Sequence, residues 1–358
     1  MSAAVLHRRG RGTPALITGG AGFVGTNLAD RLARSGRTVI LLDNLSRPGV
    51  EDNLRWLKAE HGDRIQPIVA EVGDRAALGE AVARAGIVFH LAAQVAVTHS
   101  LADPLADFRS NAGATIELLE AVRRAGTGAG VVFTSTNKVY GAIGDLPLET
   151  RPLRYAPAAG SAWAQGIAED RPLDFHSPYG CSKGAADQYV ADYARSFGLP
   201  TLVLRMSCIY GPHQHGTEDQ GWVAHFLRQA LAGAPLVIYG DGRQVRDVLY
   251  VDDLVEAFLL AEQQLPRLAG GAFNIGGGPQ RTLSLLELLR LIAALDGRAP
   301  PVRHEPWRIG DQRVYISDTR RFSAATGWQP RVGVTDGVGR LYRWLAARAP
   351  GRRIEEVA

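Results

Sequence analysis

The chain has 358 residues, 46% hydrophobic and 21% charged, with a formal net charge of +4. This is the composition of a soluble globular chain, long enough for one large or two modest domains around a sizeable core. Its arginines are spread along the chain rather than gathered into one basic block, apart from the two tails, which argues against a nucleic-acid partner and favours a small anionic substrate.

Residues 1–13 carry His7, Arg8, Arg9 and Arg11 without any apolar period and are read as a disordered basic tail. No apolar stretch has the make-up of a secretory signal or the length of a bilayer span, so no membrane partner is expected. The two cysteines, Cys181 and Cys208, stand far apart without a C-x-x-C, so neither a disulfide framework nor a zinc site is indicated, and a reducing cytoplasm fits.

The first structured stretch is the apolar run 15–18, which enters a turn with Gly19, Gly22 and Gly25 and then the helix-like 26–34. Glycines at this spacing, between a strand and a helix, allow a tight turn and a close approach of backbone to a pyrophosphate, with the helix N-terminus facing the phosphate charge. A second buried strand, 38–42, ends in Asp43, placed to bind both hydroxyls of a ribose; a carboxylate there repels a 2′-phosphate, so NAD is expected rather than NADP. Further strands are expected at 65–69, 87–91 and 131–134, with helices at 76–85 and 112–125 between them. The alternation predicts an α/β fold with a doubly wound parallel sheet of Rossmann type, whose ligands lie beyond the carboxyl ends of the strands.

Next comes the stretch Ser177, Pro178, Tyr179, Gly180, Cys181, Ser182, Lys183. Tyr179 and Lys183, four apart at a helix start, share one helix face. A phenol must be favoured as phenolate by about 4 kcal/mol to accept protons near neutrality, and a nearby ammonium supplies much of that.

Together these residues resemble the extended short-chain dehydrogenase/reductase superfamily, the NAD-dependent nucleotide-sugar epimerases and dehydratases. The matching residues run in order from Thr18 through Gly25, Asp43 with Asn44, Leu91 to Ala93, Asn111 with Gly113 and Thr115, Ser135 with Thr136, Val139 to Gly141, and Tyr179 with Lys183. The resemblance implies a catalytic set of Thr136, Tyr179 and Lys183. It implies cofactor contacts from Gly19, Gly22, Phe23, Val24, Gly25, Asp43, Asn44, Glu71, Val72, Leu91, Ala92, Ala93, Asn111, Tyr179 and Lys183. Glu71 departs from the aspartate usual there. Dehydratases of the superfamily carry an Asp-Glu pair after the catalytic hydroxyl, and this chain has Asn137 and Lys138, which disfavours dehydration.

Longer stretches, at 135–141, 173–189, 219–223, 243–248 and 310–314, are similar to the 2-epimerases of CDP-linked hexoses. The departures lie at 212–217 and 151–168. That resemblance implies a CDP-linked nucleotide sugar as partner and substrate contacts from Gln94, Thr136, Asn137, Arg246 and Arg313. The two arginines are candidates for the diphosphate because guanidinium forks match phosphate oxygens. A 4-epimerase or reductase of nucleotide sugars, or a non-catalytic NAD-binding protein on the same fold, stands as the alternative. Oligomeric state is left open.

The domains are expected at 14–206 with 248–275 for the dinucleotide and 207–247 with 276–348 for the nucleotide sugar, the latter a smaller discontinuous α/β unit, with a tail at 349–358. The glycines at 276–278 lack a P-loop lysine and are read as a loop. His213 and His215 lack the further ligands of a metal site, so no metal is expected.

Overall fold

The computed structural model describes residues 12–308 and 311–348; the expected basic tail (all but its last two residues), Ile309, Gly310 and the tail from 349 lie outside them. Seven parallel strands form the central sheet: β1 (Ala15–Thr18), β2 (Val39–Asp43), β3 (Ile65–Val69), β4 (Ile87–His90), β5 (Gly130–Thr136), β6 (Thr201–Met206) and β7 (Ala272–Ile275), in the order β7-β6-β5-β4-β1-β2-β3. Five of them are buried almost throughout, as expected of strands covered on both faces. The helices that cover the sheet include α1 (Phe23–Arg34), α2 (Val50–His61), α3 (Arg75–Arg84), α4 (Ala114–Ala125), α5 (Ser177–Phe197) and α6 (Val251–Leu268).

Chain order reverses between β1 and β4, which pair with Thr18 opposite His90, while β1 also pairs with β2, with Thr18 opposite Leu42. A crevice opens at such a switch point, beyond the carboxyl ends of the strands. One apolar core lies on the side of α1 and α6, with Leu28, Leu32, Leu254 and Phe258. The other lies under α3, α4 and α5, with Leu78, Leu118, Leu119 and Val190.

A third core, around Leu227, Leu288, Ile292 and Leu341, joins the helices Trp222–Leu231, Leu285–Asp296 and Val334–Ala346. Beside it the strand Val245–Tyr250 pairs with Thr282–Ser284, Val314–Tyr315 and Cys208–Tyr210. The helix Leu285–Asp296 starts where Ser284 caps it, accepting from Glu287 N–H while the Glu287 carboxylate accepts from Ser284 N–H. The helix expected at 112–125 is preceded by a π-turn over Arg109–Gly113, which holds Asn111.

Candidate active site

The glycine turn between β1 and α1 is built by close backbone contacts. Gly19 has φ +67, and a Cβ there would stand 2.8 Å from the Ala92 nitrogen; one on Gly25 would stand 2.4 Å from the Gly19 carbonyl oxygen. Any side chain at either position would force the turn away from the end of β4 or off the helix. The first amides of α1, from Phe23 and Val24, have no partner within the helix and lie at its positive end, the surroundings a pyrophosphate requires.

The Asp43 carboxylate accepts from Ala21 N–H at 3.0 Å and Leu45 N–H at 2.9 Å, which fixes it between the glycine turn and the exit of β2. Asn44 donates to Glu71 at 2.8 Å beside the buried Val72, so the glutamate reaches the rim despite its extra methylene. Leu91 N–H donates to the Thr18 carbonyl at 3.1 Å and Ala92 N–H to the Thr18 hydroxyl at 3.3 Å, and Ala93 follows at the rim. These residues fit a dinucleotide: free helix-end amides for the phosphates and a carboxylate for the ribose.

Beneath them lies a buried network that sequence reasoning did not name. His90 Nδ1 is 2.7 Å from the Thr18 hydroxyl and Nε2 is 3.0 Å from that of Thr115. Burial, with the Lys183 charge adding to it, lowers the His90 pKa to about 3, so the imidazole is neutral.

The substrate end is assembled from β5, the 3₁₀ turn Asn137–Tyr140 and α5. Thr136 closes β5 and caps the turn, its hydroxyl accepting from Lys138 N–H at 3.3 Å. The same hydroxyl acts on the nearby phenol of Tyr179, which is only 8% exposed, in the direction that favours its phenolate. Burial raises the Tyr179 pKa above that of a free phenol; the Thr136 hydroxyl and the Arg47 charge work the other way, and the Asp107 charge adds to the rise. Ser177, two residues before Tyr179, sits in the left-handed region at φ 64, a conformation costly for a residue with a Cβ and common near functional sites.

Lys183 lies one turn beyond Tyr179, but its amine points elsewhere than the spacing suggested. It donates to the Thr134 carbonyl at 2.7 Å and rests 4.2 Å from the Phe133 ring centre. The shared helix face sets the two side chains side by side; the carbonyl at the end of β5 decides where the ammonium goes. Burial lowers the Lys183 pKa to about 7, against the opposing charges of Asp187 and Asp107.

Asn111, expected on the cofactor, spends its side chain within the protein. Its amide donates to Asp107 at 3.1 Å and to the Ser182 hydroxyl at 3.0 Å, and its oxygen accepts from Gln94 N–H at 3.0 Å. Asp107 gathers Ser182 (2.5 Å), Asn111 and the Gln94 amide (3.1 Å), and burial raises its pKa. Gln94, expected on the substrate, thus spends its amide on Asp107 and Ala96. The π-turn marks this knot in the structure, since such turns cluster at functional sites, but no sequence pattern announced it.

On the far wall, Arg246 donates to Asp311 at 2.5 Å and to the Val245 carbonyl at 2.9 Å. Arg313 lies 5.5 Å from the Tyr155 ring centre, exposed, so the two arginines are held by different partners. Asn137 accepts from the Thr136 hydroxyl at 3.3 Å. Lys138 reaches toward the Gln312 amide oxygen at 3.5 Å.

The segment 211–221 is fastened alongside the glycine turn. Asn27 donates to the Pro212 carbonyl at 3.0 Å, and Asn53 donates to the carbonyls of Ala21 at 3.1 Å and His213 at 3.2 Å. Arg47 donates to Gln220 at 2.8 Å. His213 and His215 both face Asn53, and among the described residues no group of His, Cys, Asp and Glu could hold a metal ion. Among the same residues no helix is long and apolar enough to cross a membrane.

A family model described as the NAD dependent epimerase/dehydratase family matches residues 15–276. The CDP-paratose 2-epimerase of Salmonella typhi is 40% identical over 93% of this chain and 99% of its own. A UDP-glucose 4-epimerase of Mycolicibacterium smegmatis is 35% identical over 92% of this chain and 97% of its own. Among solved structures, the Thermotoga maritima UDP-glucose 4-epimerase with UDP-glucose matches with TM-score 0.80 at 31% identity, over 94% of this chain and 99% of that one. The Thermus thermophilus UDP-glucose 4-epimerase in complex with NAD matches with TM-score 0.77 at 31% identity, over 93% and 98%.

Proposed function

The chain belongs to the NAD-dependent epimerase/dehydratase family, and from that premise we propose that this enzyme inverts C2 of a CDP-linked hexose of the paratose, tyvelose or glucose type by transient oxidation to a 2-keto sugar. The observation that carries the redox reading is the makeup of the substrate end: one phenol, Tyr179, beside one hydroxyl, Thr136, followed by Asn137 and Lys138 rather than a carboxyl pair. Asp107, a carboxylate whose charge acts on Tyr179, is engaged by Ser182, Asn111 and Gln94. Elimination of water needs a further free acid and base; a reversible oxidation needs one proton acceptor. The choice of C2 and of cytidine is supported by the likeness to the CDP-paratose 2-epimerase along nearly the whole chain.

In this reading the glycine turn, Phe23 and Val24 hold the pyrophosphate of NAD, and Asp43 with Asn44 holds the adenosine ribose. NAD, when bound, supplies the hydride acceptor for the sugar carbon. Thr136 holds the reacting oxygen, and Tyr179 takes its proton and later returns it. Burial works against the phenolate, so the Thr136 hydroxyl and the Arg47 charge are what favour it. Arg246 and Arg313 grip the diphosphate, and Asn111 positions α5 through Ser182. The likeness to UDP-glucose 4-epimerases favours, as a second reading, inversion at C4 by the same residues.

The test follows the hydrogen. A CDP-hexose deuterated at C2 should give an inverted product that keeps the label at C2, and a reaction in heavy water should add none, because the hydride is stored and returned. Deuterium entering C2 from solvent would refute the redox route, and inversion at C4 would refute the choice of carbon.

A further inference from the structure

Lys138 is the one cation of the substrate end that the mechanism above leaves without a task. The Thr136 hydroxyl accepts from its backbone N–H at 3.3 Å, so the side chain springs from the edge of the proton-transfer pair. Its ammonium is partly covered and has, among the described residues, no carboxylate within ion-pairing distance; it reaches the Gln312 amide oxygen at 3.5 Å. Arg246 lies near enough for its charge to oppose that of Lys138, and burial together with that opposition lowers the Lys138 pKa to about 8. Asp311 is already taken by Arg246 at 2.5 Å. Two cations share one carboxylate at a partly covered site, an arrangement that a multiply charged anion relieves.

Which part of a nucleotide sugar that anion is follows from bonding. C2 is attached to the anomeric carbon that carries the diphosphate, whereas C4 lies across the ring from it. A cation rooted beside the Thr136 and Tyr179 pair meets the diphosphate only when the sugar is held by its C1–C2 edge. Resting on the C2 reading above, we propose that Lys138 is a substrate-positioning residue that takes a β-phosphate oxygen jointly with Arg246 and thereby presents C2 to the pair. Gln312 and Asp311 hold the two side chains in that direction when no anion is bound. A lysine at this place also bars the acid–base chemistry that a carboxylate would supply to an elimination.

The test is binding to the NAD-loaded protein by calorimetry, with CDP, CMP and CDP-glucose as probes. Lys138→Met is expected to weaken CDP and CDP-glucose by a similar factor, roughly tenfold to a hundredfold, the usual range for one charge-assisted bond. CMP, which has no β-phosphate, should change little, NAD content should stay at the wild-type level, and Lys138→Arg should recover most of the loss. Lys138→Gln supplies the same comparison if the methionine variant loses NAD. Weaker CDP-glucose with unchanged CDP would place Lys138 on a sugar hydroxyl and overturn the proposal, as would unchanged affinity for both. Wild-type protein that binds no nucleoside diphosphate would overturn the nucleotide-sugar reading itself, so the two failures are told apart.

Discussion

Asp187 is the place to perturb if stability and chemistry are to be separated. It stands one turn beyond Lys183 on α5, fully buried, and grips Arg205 of β6 through two hydrogen bonds, at 2.9 and 3.0 Å. The remaining guanidinium nitrogen donates to the Tyr140 hydroxyl at 3.1 Å, which in turn donates to Asn274 of β7 at 2.8 Å. Asp187→Ala leaves the guanidinium, whose side chain is 6% exposed, without its counter-ion. Breaking a buried pair from one side costs about 3–5 kcal/mol, a large share of the roughly 5–15 kcal/mol that holds a typical domain folded. Removing both partners together leaves no orphaned charge, so Asp187→Leu with Arg205→Met should recover most of the loss. Urea unfolding of the NAD-loaded protein, followed by tryptophan fluorescence, measures both. A single variant losing less than about 1 kcal/mol, or a double variant losing as much as the single, would refute the reasoning. The stable double variant also lacks the charge that most favours the Lys183 ammonium. Its Lys183 pKa therefore falls below about 7, and turnover should decline at a lower pH than in wild type.

Two further outcomes follow from the site. Tyr179→Phe should abolish turnover while NAD content stays unchanged, because the ring remains and only the proton acceptor is lost; activity within about tenfold of wild type, or about 1.4 kcal/mol of barrier, would end the assignment of Tyr179. His90 binds its proton only below about pH 3 when folded, against 6.5 for the free side chain. The unfolded chain therefore holds more protons between those values: the contribution of this group is complete above pH 6.5 and is lost as pH falls toward 3, by on the order of 5 kcal/mol. Unfolding free energies measured across that window should show a steeper acid decline in wild type than in His90→Asn, and equal slopes would contradict the reading.

The sheet was legible because its strands are short apolar runs closed by turn residues, and 15–18, 65–69 and 131–134 fall on strands of the structure. Asp43 was legible too, as the acidic end of the second run. What local pattern cannot specify is which distant group takes a polar side chain. The spacing of Tyr179 and Lys183 gave their common face, yet the Thr134 carbonyl, 49 positions back in the chain, sets the direction of the amine. The Asp107 knot joins residues from three segments, and Gln94 is drawn into it by Asn111 and Asp107 rather than left for a ligand. Helix α2 escaped notice because its pattern is weak, with only Val50, Asn53 and Leu57 buried. Asn53, in that unremarked helix, turns out to join the glycine turn to the segment 211–221.

That fastening bears on how the enzyme meets the metabolism around it. A dinucleotide lying on the glycine turn is bordered by Pro212, His213 and Gln220, which Asn27, Asn53 and Arg47 hold to the nucleotide half. Departure of the cofactor past that border requires these bonds to part. In the proposed reaction the oxidant is lent to each substrate and recovered before the product goes. The ratio of the two stereoisomers at equilibrium then reflects their own free energies alone, and the balance of oxidised to reduced dinucleotide in the surrounding solution does not enter it.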